Sequence, residues 1–131
     1  MGLFDGIFGD KNKKEHKTES KIPWIGLTAR EQLDEITDKS KERPQLIFKH
    51  STTCGISRMV LNMFTSGYDL QEGLMDLYFL DLHAYREISN AIASKFQVMH
   101  QSPQLLIIKN GVVVAHDSHG GISEMELEKY I

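Results

Sequence analysis

Gln45-Leu46-Ile47-Phe48-Lys49-His50-Ser51-Thr52-Thr53-Cys54-Gly55-Ile56-Ser57-Arg58-Met59-Val60 is the stretch on which the fold turns. Its first part, Gln45 to Lys49 with Leu46-Ile47-Phe48 at its heart, is a short apolar run of the kind a strand buried on both faces shows. Its second part changes period. Ile56, Met59, Val60, Met63 and Phe64 recur at i, i+3, i+4, i+7 and i+8, which predicts an amphipathic helix packing that stripe into the core. Gly67 ends it. A buried strand running into a helix, with Cys54 at the junction, is the first half of a β-α-β unit. Such a unit needs parallel strands and a right-handed crossover.

Working outward, Pro23-Trp24-Ile25-Gly26 reads as a short extended piece, with Trp24 as a plug of the core or its edge. Thr28 and Glu31 have capping-box spacing. The helix they predict carries Ala29, Leu33 and Ile36 on one face and stops before Pro44. Downstream, Met75 to Leu82 is a second apolar run. Asp81 is placed to cap a helix whose inner face is Tyr85, Ile88, Ala91, Ile92 and Phe96. Ser102-Pro103 precedes a strand at Leu105 to Ile108. Asn110-Gly111 is the strongest hairpin signal in the chain, and Val112 to Ala115 returns antiparallel. Gly120-Gly121 turns the chain, and Ser123 to Glu126 predicts a last helix burying Leu127 and Ile131. The order β-α-β-α-β-α-β-β-α defines an α/β fold: a central mixed sheet of four to five strands, flanked by helices on both faces.

Composition agrees. The chain has 131 residues, 40% apolar and 25% charged, ordinary values for one globular domain. Residues 22–131 are expected to form it. Residues 1–21 read as a flexible N-terminal tail, with an apolar tip and a polar, lysine-rich stretch that buries too little to offset its ordering entropy. A net charge of −3 lacks the basic footprint of a nucleic-acid binder. No apolar run approaches the roughly 18 residues of a membrane span. Cys54 is the one cysteine, so no intrachain disulfide and no cysteine-based zinc site can close within one chain. With no secretory leader read in Met1 to Phe8, a reducing, cytoplasmic setting is expected. His116-x-x-His119 has chelating spacing but no third ligand, and reads as a solvated strand end; no metal is expected.

Cys54 carries the chemistry. A helix start has unpaired N–H groups and about half a positive charge. A thiolate there is stabilised and more of it is nucleophilic at neutral pH. Gly55 leaves room for a disulfide to approach, Lys49 and Arg58 could add positive potential, and His50 could tune the thiol. Ser57 stands where dithiol redox proteins of the Cys-x-x-Cys type carry their second cysteine. An internal dithiol step is therefore impossible, and a small thiol or a partner protein must resolve any mixed disulfide. Two readings of Ser57 stay open: its hydroxyl donates to the thiolate, or it is an ordinary helix residue facing solvent.

The element order, the cysteine at the first strand-to-helix junction, the proline before the penultimate strand and the Asn-Gly hairpin resemble the thioredoxin fold over residues 22–131. More narrowly, Phe48 to Met59 resembles the monothiol bacilliredoxin family (YtxJ-like), whose members carry a Thr-Cys-Pro-Ile-Ser type motif after a Lys-His-Ser segment. Gly55 departs from that pattern, and Cys54-Gly55-Ile56-Ser57 is one residue from the Cys-Gly-Phe-Ser of monothiol glutaredoxins. The resemblance implies that Cys54 is the catalytic nucleophile, in an active-site loop of Thr53, Gly55, Ile56 and Ser57. It implies a cis Pro103 facing Cys54, with the Ser102 and Pro103 backbone aimed at substrate. It also implies a pocket in which Lys49, Gly120, Gly121 and Ser123 grip the carboxylates of a small thiol, although the aspartate that follows the glycines in glutaredoxins is missing. The Gly-Gly turn has an alternative reading as a backbone requirement alone.

The implied function is a thiol–disulfide oxidoreductase that removes bacillithiol from S-bacillithiolated cytosolic proteins. Bacillithiol is then co-substrate, with no bound cofactor. The expected partners are the client proteins, a low-molecular-weight thiol and a partner redoxin, with no nucleic acid and no membrane. The expected state is a monomer. Two other classes remain: an iron–sulfur cluster carrier in which two chains each give one cysteine, and a non-catalytic adaptor with an inert cysteine.

Overall fold

The structure, a computed structural model, describes residues 22–131, so the expected flexible tail over residues 1–21 lies outside the described residues. Strand β2 (Gln45–His50) is buried at each residue because it occupies the middle of a five-stranded sheet. Around it run β1 (Ile25–Gly26), α1 (Glu31–Lys39), α2 (Gly55–Gly67), β3 (Asp76–Asp81), α3 (Arg86–Phe96), β4 (Gln104–Lys109) and β5 (Val112–Ser118). The spatial order is β1-β3-β2-β4-β5. Strands β1, β3 and β2 are parallel, while β4 and β5 are antiparallel to their neighbours. This is the mixed sheet expected from the sequence.

Alternation along β2 sorts the core into two halves, because successive side chains leave a strand on opposite faces. Leu46 and Phe48 pack with Val60 and Phe64 of α2 and with Ile122 and Leu127. Ile47 packs with Ile36 of α1 and with Ile88 and Ile92 of α3. Trp24 is the expected plug: its ring lies 5.5–6.1 Å from those of Phe48, Phe64 and Phe79. The β4–β5 hairpin turns at Asn110 (φ 52°) and Gly111 (φ 82°), the left-handed pair a two-residue I′ turn requires. Ser40, at the end of α1, accepts both turn N–H groups at 2.8 Å.

Three local expectations are corrected. First, α1 begins at Glu31 with Arg30 at the N-cap and no side-chain cap, so Glu31 is too early in the helix to close a capping box. Gln32 does the work instead. Its Oε1 accepts the Thr28 and Ala29 N–H groups at 2.8 and 2.9 Å, and its Nε2 donates to the Gly26 carbonyl. Second, α2 buries Ser57, Val60 and Phe64, while Ile56, Met59 and Met63 are 49–56% exposed. The helix is rotated from its apolar stripe because a serine stands at the centre of the buried face. Third, no last α-helix forms. Two 3₁₀ segments, His119–Glu124 and Leu127–Tyr130, are separated by an extended Met125. Gly120 and Gly121, poor helix formers, fall inside the first. Ile122 and Leu127 are buried, but Ile131 is 47% exposed. Among the described residues, no helix is long and apolar enough to cross a membrane.

Phe48 is fully buried and meets the rings of Trp24, Phe64 and Phe79. Phe48→Ala is expected to lower unfolding free energy by about 3–5 kcal/mol, read from a urea transition with an unchanged slope.

Candidate active site

Cys54 is the N-cap residue of α2, with extended backbone (φ −109°, ψ 121°), and it is half-buried. Its N–H donates to the Ser51 carbonyl at 3.3 Å, and its carbonyl accepts the Arg58 N–H at 3.1 Å. The sulfur thus leaves the chain where the loop from β2 becomes a helix, as the sequence predicts. A Cβ added at Gly55 would meet nothing within 4 Å, and Thr53, Gly55 and Ile56 are all exposed. The approach to the loop is open.

Two histidines hold this loop from opposite ends. Ser57 is fully buried. Its Oγ accepts the Ser51 N–H at 3.1 Å and shares a 2.9 Å hydrogen bond with His50 Nδ1. Neither reading of Ser57 holds: the hydroxyl serves His50 and Ser51, not the sulfur, and it does not face solvent. On the other side, His83 Nε2 lies 2.7 Å from Ser51 Oγ and 3.1 Å from Thr53 Oγ1. The Asp81 carboxylate fixes the turn that carries His83 by accepting its N–H at 3.1 Å. Burial holds His50 below the usual histidine range; Asp81 opposes this, while Arg58 and His83 reinforce it. His83 was not legible as a site residue, since it follows β3 and only the pairing of β3 with β2 brings it to Ser51 and Thr53.

The Ser102–Pro103 bond is cis, as expected. Lys49 pairs with Gln104 across the antiparallel β2–β4 ladder, so Pro103 falls beside the end of β2, at the base of the Cys54 loop. Pro103 is buried and its carbonyl accepts the His119 N–H at 3.1 Å. That carbonyl is occupied, which corrects the expectation that it lies free for substrate. Ser102 is half-buried, with a hydroxyl that meets no partner among the described residues.

The pocket expected from Lys49, Gly120, Gly121 and Ser123 does not assemble. Lys49 leaves β2 on the same face as Ile47 and is fully buried against α3. Its Nζ lies 3.4 Å from the Ser89 carbonyl and 3.3 Å from His100 Nδ1. Gly120 and Gly121 precede Ile122, which packs on the opposite face with Phe48 and Phe64. A Cβ at Gly121 would collide with the Asp117 carboxylate, a poor neighbour for an incoming anion. Ser123 Oγ donates to the Gly120 carbonyl at 2.9 Å. With no carboxylate beside it, Lys49 is pushed down to about 8 by burial.

A sheet of this order, with three parallel strands on one side and an antiparallel hairpin on the other, a cis proline leading into that hairpin and a cysteine at the helix start after the middle strand, is the thioredoxin-like class of α/β protein. Solved structures agree. One described as a candidate oxidoreductase with a thioredoxin fold superposes with a TM-score of 0.64 at 35% identity, over 75% of this chain and 84% of its own. Thioredoxins of Schistosoma mansoni (TM-score 0.62, 18% identity, 82% and 95% of the two chains) and Arabidopsis thaliana (thioredoxin O2; 0.60, 19%, 82% and 95%) share the fold. The family model described as monothiol bacilliredoxin BrxC matches residues 25–127, and the chain belongs to that family.

Two outcomes follow from this geometry. Ser57→Ala strands the Ser51 N–H and His50 Nδ1 in a buried place, and is expected to cost about 1–3 kcal/mol in chemical denaturation. Lys49→Met is expected to stabilise the protein at pH 7 by up to about 3 kcal/mol. The native lysine loses its proton above about 8, whereas in the unfolded chain it holds it to near 10.5. The cost of burying the charge is therefore fully present below pH 8 and fades towards 10.5. Unfolding curves across that range should show the methionine advantage shrinking as pH rises.

Proposed function

We propose that the protein is a monothiol thiol–disulfide oxidoreductase that removes bacillithiol from S-bacillithiolated client proteins, inside the reducing cytoplasm. The Cys54 thiolate attacks the bacillithiol sulfur of the mixed disulfide. The bond between client and bacillithiol breaks, a Cys54–bacillithiol disulfide forms, and the client cysteine leaves as a thiolate that takes a proton from solvent. A second bacillithiol then attacks the bound bacillithiol sulfur. It frees Cys54 and departs as oxidised bacillithiol, so electrons balance without any bound cofactor. A partner redoxin could serve in place of that second thiol.

The observation that carries this reading is the placement of Cys54: a lone, half-exposed thiol at a helix N-cap, in a chain of the bacilliredoxin family. The serine three residues on is committed to the loop's own hydrogen bonds. Resolution by an outside thiol is what such a site requires.

Incubation with a bacillithiolated client is expected to transfer one bacillithiol to Cys54, seen as a single adduct by intact mass, with recovery of the client thiol. Cys54→Ser should abolish both. Full client recovery with Cys54→Ser would sink the mechanism. A visible absorption band with dimer formation on anaerobic reconstitution with iron and sulfide, and no adduct, would favour the cluster carrier instead.

A further inference from the structure

We propose that the cleft between the N-terminal ends of α1 and α3 seats the carboxylates of the small thiol exchanged at Cys54. This deepens the proposed function and rests on it. The cleft has a volume of about 370 Å³ and is lined by Thr28, Arg30, His83, Tyr85, Arg86 and Glu87, among others. Arg30 is the N-cap of α1, and Arg86 opens α3. Both side chains are exposed, and neither makes an ion pair with a described residue. Neither helix has a side-chain cap hydrogen bond, and among the described residues the N–H groups of Arg30, Glu31, Arg86 and Glu87 find no protein acceptor. Glu87 is the one carboxylate in the lining. Two guanidinium groups and two positive helix ends outweigh it, and both features favour bound carboxylate.

Two other clefts among the described residues lack this excess. A neighbouring one of about 490 Å³ also reaches Arg30, but it contains Glu31, Asp34 and Lys95, and the last two pair with each other at 3.4 Å. The cleft under α2 is lined by Asp69 and Glu128 and carries no cationic side chain.

The cleft also touches the reactive loop. His83 forms part of its wall, and the same His83 Nε2 contacts Thr53 Oγ1, one residue before the cysteine. A thiol joined to Cys54 can lay its acidic arm across Thr53 and His83 onto Arg30 and Arg86. All the parallel strands end at this edge of the sheet, where open α/β sheets gather their ligands.

The test compares two disulfides as reactants for Cys54, with adduct formation followed by mass. One is the disulfide of mercaptosuccinate, with two carboxylates on each half; the other is neutral 2-hydroxyethyl disulfide. The double variant Arg30→Gln/Arg86→Gln is expected to react about tenfold more slowly with the first. It should stay within about twofold of wild type with the second. Equal slowing with both, or with neither, overturns the proposal. Titrating malate into ¹⁵N-labelled Cys54→Ser provides a readout that needs no thiol chemistry. Amide shifts at residues 30, 31, 86 and 87 that vanish in the arginine double variant support the cleft, and their absence overturns it. Wild type that forms an adduct with neither disulfide defeats the oxidoreductase reading, and the malate titration still decides the cleft.

Discussion

The hydrogen bonds converging on Ser57 Oγ tie the end of the central strand to the first turn of the following helix. Everything at Cys54 depends on that tie. The cysteine's own backbone is held by Ser51 and Arg58, and Ser51 is held in turn by Ser57 from inside the protein and by His83 from outside. A reactive sulfur must keep its direction while disulfides of different shape come and go. Fixing the residues on both sides of it achieves that without covering the sulfur. A buried hydroxyl suits the task because leaving its partners unmet would cost more than the bonds contribute when made.

The same tie bears on how many thiols the site uses. In a Cys-x-x-Cys protein the second sulfur resolves the mixed disulfide. Here the equivalent position is turned inward and forms part of the frame. In the function proposed above, the exchange at Cys54 therefore ends in a collision with an outside thiol. Such a collision needs the bound small thiol presented with its sulfur exposed, which places a premium on holding its other groups.

Much of this was legible in the sequence, and the failures have definite causes. The apolar run at Leu46 to Phe48, the Asn110-Gly111 turn and the helix start at Cys54 were readable because each rests on local geometry. The rotation of α2 was not. Periodicity assigns every apolar residue to the core and so points Ile56, Met59 and Met63 inward, whereas a hydrogen-bonded serine holds the centre of the buried face. The resemblance to glutaredoxins sets Lys49 beside the glycine turn. One step of strand alternation sends it to the other side of the sheet, where burial and His100 surround it. Glu31 was one position from the glutamine that closes the N-terminus of α1. His83, Arg30 and Arg86 carry no sequence signal at all, since Arg30 and Arg86 stand 56 positions apart in the chain (86 − 30) and only the parallel pairing of the strands joins them.

The two sides of the Cys54 loop differ in character. The side chains of Ile56, Met59 and Met63 form an exposed apolar shelf on α2, starting two residues after Cys54. On the side of His83 the ground is cationic and polar. A mixed disulfide between a protein and a small acidic thiol has two unlike halves, and which sulfur is attacked decides whether the client is freed or merely exchanged. An apolar shelf favours the protein half by burying its surface, and a carboxylate is repelled from the same shelf by the loss of its hydration. In the function proposed above, unlike flanks would sort the halves before the bond is broken. A symmetrical, uniformly charged site around Cys54 would have no means of making that distinction.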